Sequence, residues 1–193
     1  MKINIHTHHP QAEEKTISTI GVHPYDAEGF TTDTALAIER DILHYDAVGE
    51  IGLDFHCTAD KESQAIAFKV QLEIAQKCGK GVVIHCVKSF EQVMNILKNF
   101  SLKFVIFHGF IGSPEQAKRA TERGYYLSFG ERTFRSPKSI EAMRKISVDH
   151  LFLETDDSPV SIAEIYAKAA ILLGVPVAVL EYVTTENYNR ICG

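Results

Sequence analysis

Tryptophan is absent from this chain of 193 residues, and cysteine is scarce, with four residues and no C-x-x-C pair. The missing pairs argue against a zinc ribbon and a redox dithiol, so the thiols are interpreted as reduced and structural. No apolar run reaches the length of a signal peptide or of a membrane span. The sequence therefore predicts a soluble, cytoplasmic protein without a membrane partner.

An excess of basic charge is also missing, because the formal net charge is −5. This argues against a protein that coats nucleic acid by bulk electrostatics, although bound metal ions could still make a local cationic site. A hydrophobic content of 45% over 193 residues is ordinary for a chain with one core. We therefore expect a single domain over residues 1–193.

Short runs rich in β-branched residues alternate with stretches of helical periodicity, a pattern typical of β-α-β units and a parallel sheet. Strands are expected at residues 2–6, 16–23, 47–54, 81–86, 103–108, 125–129 and 150–156. Helices are expected near residues 33–44, 61–78, 90–99, 114–123, 138–146, 161–173 and 177–191. Ser113-Pro114 and Ser136-Pro137 predict two helix starts, because proline suits the first helical position after a serine cap.

Seven predicted strands are one fewer than the TIM-type β/α barrel has. The deficit lies between His9 and Thr16, where an α-β-α segment has no room. The predicted fold class is therefore α/β, a TIM-type barrel shortened to about seven strands. An apolar edge left by the shortening would invite a second subunit, so a homo-oligomer is an open expectation.

Most of the predicted strands end in a residue type that binds metals. These residues are His6, His23, Glu50, His85, His108 and Asp156. Parallel strands of a barrel direct their carboxyl ends to one face, so we expect these side chains to converge there. His8 joins His6, because alternate residues of an extended strand point to the same side.

Imidazole and carboxylate groups are the ligands that Zn²⁺, Mn²⁺ and Fe²⁺ require. The predicted ligands, enough for two ions, are His6, His8, Glu50, His85, His108 and Asp156. Two ions about 3.5–4 Å apart can activate a shared water, and Asp156 beside such a water is a candidate general base. Each residue also has an ordinary interpretation without a metal. His6 and His8 could be solvated, His85 and His108 could be hydrogen-bonded core residues, Glu50 could form a salt bridge, and Asp156 could cap a helix. Repetition at successive strand ends favours a binuclear hydrolase.

The chain also carries a specific order of motifs: His6-Thr7-His8, GVHPY at 21–25, GEIGLDF at 49–55, QLEIA at 71–75, VVIHC at 82–86, HGFIGS at 108–113 and LFLETD at 151–156. In these motifs it resembles the TatD family of metal-dependent deoxyribonucleases, within the amidohydrolase-like superfamily. The resemblance implies phosphodiester hydrolysis on DNA, with two divalent ions (Mg²⁺, Mn²⁺ or Zn²⁺).

The resemblance also assigns roles to the residues. It implies that one ion is held by His6, His8, Glu50 and Asp156, and the other by Glu50, His85 and His108. Glu50 and Asp156 would thus be the catalytic carboxylates, and His23 would lie over the scissile phosphate.

Besides the shortening after His9 and one additional residue in ETDDSP at 154–159, two substitutions depart from the family pattern. Asn4 stands where the family usually has Asp, which predicts weaker support of the two N-terminal histidines. Val87 replaces an Arg, and the adjacent Lys88 could supply the phosphate contact instead. The leading interpretation has DNA or a small phosphodiester as the substrate. The loss of that Arg supports one alternative, an amidohydrolase-like enzyme acting on a small amide or lactone. A non-catalytic metal-binding relative is the other.

Overall fold

The computed structural model describes residues 1–193 and shows an α/β protein whose paired strands run parallel. The strands are β1 (Lys2–Ile3), β2 (Glu14–Lys15), β3 (Thr19–Ile20), β4 (Ala47–Asp54), β5 (Gly81–Val87), β6 (Val105–Phe107), β7 (Tyr126–Phe129) and β8 (Leu151–Leu153). The α-helices are α1 (Thr32–Asp41), α2 (Lys61–Lys77), α3 (Phe90–Leu97), α4 (Pro114–Thr121), α5 (Pro137–Lys145), α6 (Ile162–Leu173) and α7 (Val177–Cys192). Short 3-10 helices occupy Pro24–Gly29, Ile42–His44, Glu131–Arg135 and Val148–His150.

The chain divides into two compact units. Unit 1 comprises Met1–Thr16 and His108–Gly193, and unit 2 comprises Ile17–Phe107. The single domain expected over residues 1–193 stays a prediction.

Unit 2 is a parallel sheet in the order β3-β4-β5-β6, with helices α1, α2 and α3. The two longest strands, β4 and β5, run side by side, from Ala47 opposite Gly81 to Asp54 opposite Val87. Most residues of β4 and the first half of β5 are buried, as expected for parallel strands covered on both faces. Polar residues appear toward the carboxyl ends of these strands, where the candidate site of unit 2 lies.

Unit 1 contains two parallel strand pairs, β1 with β2 and β7 with β8, and helices α4 to α7. The first strand is anchored by Tyr166 of α6, a fully buried side chain whose hydroxyl donates to the Ile3 carbonyl at 2.9 Å. The same hydroxyl lies 2.7 Å from that of Thr184 on α7. The start of the chain is therefore tied to both C-terminal helices.

Several sequence predictions are confirmed. Ser113 and Ser136 cap α4 and α5, accepting hydrogen bonds from the backbone amides of Gln116 and Ser139. Residues 9–13 contain neither helix nor strand, so the chain passes directly from the first strand to the second, as the predicted shortening requires.

The single strand predicted at residues 16–23 is wrong. The structure has β2 at Glu14–Lys15 and β3 at Thr19–Ile20 in its place. The reason is a change of pairing partner, because β2 pairs with β1 whereas β3 pairs with β4.

None of the helices alone has the length and apolar composition of a membrane span. Only α6 and α7 together meet that test, as a pair bent by 107°.

Candidate metal centre

His6, His8 and Asp156, the first cluster, lie together in unit 1. The segment after β1 runs parallel to the segment after β8. Two backbone hydrogen bonds join them: the Asp156 amide donates to the His6 carbonyl at 3.1 Å, and the His8 amide donates to the Asp156 carbonyl at 3.0 Å. The Nε2 atoms of His6 and His8 lie 3.8 and 3.4 Å from Asp156 Oδ1. The ligand atoms all lie within 4.8 Å of one another, a spacing that small side-chain movements adapt to one ion at about 2.0–2.2 Å from each.

Asp156 has an unusual backbone. Its φ of 55° lies in the left-handed region, which costs a non-glycine residue about 1 kcal/mol or more. Burial raises the pKa of Asp156, and the negative charge of Glu154 raises it further, against the opposing charges of His108 and His6. A bound cation would offset both effects, so the local electrostatics suit a metal ligand.

His108 and Glu154 lie beside the first cluster. His108 follows β6, is 8% exposed, and has its ring centroid 4.5 Å from that of His6. Its Nδ1 lies 3.5 Å from Oε1 of Glu154, whose other oxygen accepts a hydrogen bond from Ser128. Burial alone would raise the pKa of Glu154, but the contact with His108, the charges of His108 and His6 and the hydrogen bond of Ser128 together outweigh burial and lower it. His108, Glu154 and Asp156 form another set of potential metal ligands.

His23, Glu50 and His85, the second cluster, lie together in unit 2. The Nδ1 atom of His85 is 2.7 Å from Glu50 Oε1, and the Nε2 atom of His23 is 3.4 Å from the same oxygen. The two imidazoles also approach each other, with His23 Nε2 at 3.2 Å from His85 Nδ1. These three side chains, 11% to 24% exposed, form a half-buried set of potential metal ligands.

Asp54 holds the far side of the His85 ring. Its Oδ2 lies 2.9 Å from His85 Nε2, and its Oδ1 accepts from the backbone amides of His56 and Cys57. Burial alone would raise the pKa of Asp54, but these hydrogen bonds, with that of His85 the strongest, lower it. A carboxylate behind a ligating histidine fixes the orientation of the ring and increases its basicity.

Glycine is required where β4 approaches β5. A Cβ atom at Gly52 would overlap the carbonyl oxygen of His85, and the φ of Gly52 is +145°. A Cβ at Gly49 would lie 2.8 Å from that of Val83. The glycines around Glu50 therefore allow the two ligand-bearing strands to pack closely.

Two buried glutamines of α2 hold the backbone next to the second cluster. Gln71 accepts from the Val22 amide at 2.6 Å and donates to the Val22 carbonyl at 3.1 Å. Gln64 does the same for Asp54, accepting from its amide at 2.7 Å and donating to its carbonyl at 3.0 Å. Both side chains are at most 1% exposed, so α2 fixes the backbone beside His23 and at the end of β4.

The structure thus brings the predicted site residues together in two groups. Unit 1 groups His6, His8 and Asp156, with His108 beside them, and unit 2 groups His23, Glu50 and His85. The sharing of Glu50 by two ions stays a prediction. Lys88 follows β5 with an exposed side chain, and its Nζ lies 3.4 Å from His56 Nδ1.

Asp54 and Glu154 were missed by the sequence reasoning. Both lie in the motifs described above, Asp54 in GEIGLDF four residues after Glu50, and Glu154 in LFLETD two residues before Asp156. Spacing is the signal that could have found them, because side chains an even number of residues apart on an extended strand point to the same side. Glu50 and Asp54 are four residues apart, and Glu154 and Asp156 are two apart.

Parallel strands that carry imidazole and carboxylate clusters near their carboxyl ends define the class of α/β metal-dependent hydrolases. A sequence model of TatD-related DNases matches residues 4–193. The chain belongs to this family, as the resemblance implied.

Individual relatives agree with the assignment. The chain is 30% identical over 194 residues to YabD of Bacillus subtilis, described as an uncharacterized metal-dependent hydrolase, covering 90% of this chain and 76% of that protein. It is 34% identical over 149 residues to the 3'-5' ssDNA/RNA exonuclease TatD of Erwinia tasmaniensis, covering 72% of this chain and 57% of that protein. The chain is thus shorter than these relatives.

Solved structures share the fold. YJJV, a TatD homologue from Escherichia coli, superposes with a TM-score of 0.84 at 23% identity, covering 94% of this chain and 78% of that one. A TatD-family hydrolase from Entamoeba histolytica gives a TM-score of 0.80 at 21% identity, covering 93% and 75%. Together with the family match, these likenesses confirm the predicted α/β, barrel-type fold class.

Proposed function

We propose that this chain hydrolyses phosphodiester bonds in DNA, with divalent ions held by the first and second clusters. The observation that carries the proposal is the convergence of His6 and His8 on one oxygen of Asp156, at 3.8 and 3.4 Å. The family supports it, and so does the Erwinia relative, which by its name is an exonuclease of single-stranded DNA and RNA.

The donor atoms fit divalent metals. Each cluster combines imidazole nitrogens with a carboxylate, which suits Mn²⁺ or Zn²⁺, and Mg²⁺ is the other candidate from the family resemblance. We propose that His6, His8 and Asp156 hold one ion, and that Glu50 and His85 hold the other. Such ions, when bound, lower the pKa of water and neutralise charge on phosphate oxygens.

The protein groups would complete the reaction. Asp156, with 21% of its side chain exposed, is reachable by water and would accept the proton of the attacking water. Glu50 would orient His85 and His23 through its Oε1 atom. His23, which is 24% exposed, would contact the scissile phosphate, and the exposed Lys88 would add a second positive contact.

The proposal is tested by incubating the purified chain and Mn²⁺ with single-stranded DNA labelled at either end. We expect shortening of the DNA, and a loss of rate of about 100- to 10,000-fold in Asp156→Asn, because a general base contributes that much. Asp157→Asn is the matched control, since this exposed neighbour contacts Arg132 at 3.4 Å and lies outside both clusters.

The contrary result is a protein that binds Mn²⁺ but cleaves neither DNA nor bis(p-nitrophenyl) phosphate. Turnover of a lactone or amide under the same conditions would instead support the amidohydrolase-like alternative. A cytoplasmic location and a homo-oligomer also stay predictions.

A further inference from the structure

The Asn4 side chain is buried and makes three hydrogen bonds. Asn4 is 1% exposed and lies just after β1, two residues before His6. Its Oδ1 accepts from the Thr155 amide at 2.9 Å. Its Nδ2 donates to Thr155 Oγ1 at 2.9 Å and to Glu14 Oε2 at 2.8 Å.

The partners fix the orientation of this amide. The backbone N–H of Thr155 can only donate, so the atom of Asn4 that faces it must be the oxygen. An ionised Glu14 can only accept, so the atom that faces it must be the nitrogen. An ionised aspartate at position 4 would have no donor for Glu14.

The hydrogen bonds continue from Thr155 into the first cluster. Thr155 Oγ1 donates to Thr7 Oγ1 at 2.9 Å, and the same Thr7 oxygen accepts from the His9 amide at 3.1 Å. Thr7 lies between the ligands His6 and His8, and Thr155 directly precedes Asp156. A directed chain of hydrogen bonds thus runs from Asn4 to both segments that carry the cluster.

We infer that Asn4, oriented by Glu14, is a positioning residue for the first cluster. Its amide sets the direction of the hydrogen bonds that hold Thr155 and Thr7. Thr155 and Thr7 in turn place the adjacent ligands where a divalent cation binds them. The inference rests on the proposed metal binding. Asp156 needs this support, because its left-handed backbone conformation persists only if the surrounding contacts hold it.

Electrostatics and positioning predict opposite effects for Asn4→Asp. The new carboxylate adds negative charge near the cluster, and Coulomb attraction alone would strengthen cation binding. In contrast, positioning predicts weaker binding, because the carboxylate is repelled by Glu14 and cannot donate to Thr155. The sign of the change therefore separates the two explanations.

The experiment measures Mn²⁺ affinity by isothermal titration calorimetry on the chelator-treated chain of 193 residues. We expect Asn4→Asp to weaken binding by about 10- to 100-fold, the usual effect of losing a group that orients a ligand. Glu14→Gln in the same chain should restore most of the loss, because the introduced glutamine amide can donate to the new carboxylate. Asn99→Asp, at an exposed position after α3, is the control for the change in net charge and should bind Mn²⁺ like the wild type.

The outcomes distinguish this inference from the proposed function. A wild type that binds no Mn²⁺ overturns both. If the wild type binds Mn²⁺ but Asn4→Asp binds it equally or more tightly, positioning is refuted and the proposed function stands. If circular dichroism shows Asn4→Asp to be unfolded, Thr155→Val decides, because it removes the hydroxyl that links Asn4 to Thr7. Weakened Mn²⁺ binding supports the inference, and unchanged binding overturns it.

Discussion

The two clusters are supported by different kinds of backbone. In unit 2, Glu50 and His85 lie within strands of eight and seven residues. In unit 1, His6, His8 and Asp156 follow strands of only two and three residues. Long paired strands fix the direction of the Glu50 and His85 side chains through the backbone. In the first cluster, two backbone hydrogen bonds join His6 and His8 to Asp156, and polar side chains such as those of Asn4 and Thr155 add to them. The second cluster thus relies more on the sheet, and the first relies more on side-chain hydrogen bonds.

The largest effect is expected at the close approach of β4 and β5. Gly52→Ala should lower the free energy of unfolding by about 3 kcal/mol or more, because the added Cβ overlaps the His85 carbonyl and the φ of +145° is strained for alanine. Denaturant unfolding of chelator-treated protein measures this loss. Gly29→Ala is the matched control, since a Cβ there meets nothing within 4 Å, and it should change stability by about 0.5 kcal/mol or less. Equal stability of the two variants would refute the sheet-based explanation.

Smaller effects, on Mn²⁺ affinity, are expected from the two carboxylates that contact ligand histidines, Asp54 beside His85 and Glu154 beside His108. Asp54→Asn should weaken Mn²⁺ binding by about 10- to 100-fold, because it weakens the 2.9 Å contact that orients His85. Glu154→Gln should have an effect nearer the lower end of that range, since Glu154 lies 3.5 Å from His108. Calorimetric titration of both variants beside the wild type tests the order. A larger loss in Glu154→Gln would show that unit 1 also relies on a buried carboxylate.

The smallest effect concerns the anchor of the first strand. Tyr166→Phe should cost about 1 kcal/mol at neutral pH, the net value of a typical hydrogen bond. Burial raises the pKa of Tyr166 to about 12, against hydrogen bonds that lower it, whereas an unfolded tyrosine titrates near pH 10. The contribution of the Tyr166 hydroxyl to the free energy of unfolding is therefore fully present below about pH 10 and is lost as the pH rises to about 12.

Unfolding of wild type and Tyr166→Phe across this alkaline range measures the effect. The difference in unfolding free energy between the two proteins should shrink as the pH rises. Tyr182→Phe is the control, because that side chain is 67% exposed. If the difference did not depend on pH, the Tyr166 hydroxyl would not be the anchor.

Much of the fold and site could be predicted, because apolar runs ending in His85, His108 or Asp156 are local signals. The break at residues 16–23 could not be predicted, since it arises from pairing with two different strands, and the sequence there is one run rich in β-branched residues. Asp54 and Glu154 resemble ordinary strand-end carboxylates until their histidine partners, which are distant in sequence, are seen. The left-handed backbone of Asp156 could not be predicted from its residue type, because aspartate tolerates this conformation better than most residues but adopts it only occasionally.

Helix α2 is subject to a constraint on its length. Gln64 and Gln71 are seven residues apart, or about 10.5 Å along the helix, and each holds the backbone N–H and C=O of one residue beside the second cluster. Inserting or deleting one residue between them would rotate one side-chain amide by about 100° and break its two hydrogen bonds to that backbone. Single-residue insertions and deletions should therefore be tolerated elsewhere on the surface of unit 2 far better than between these two glutamines.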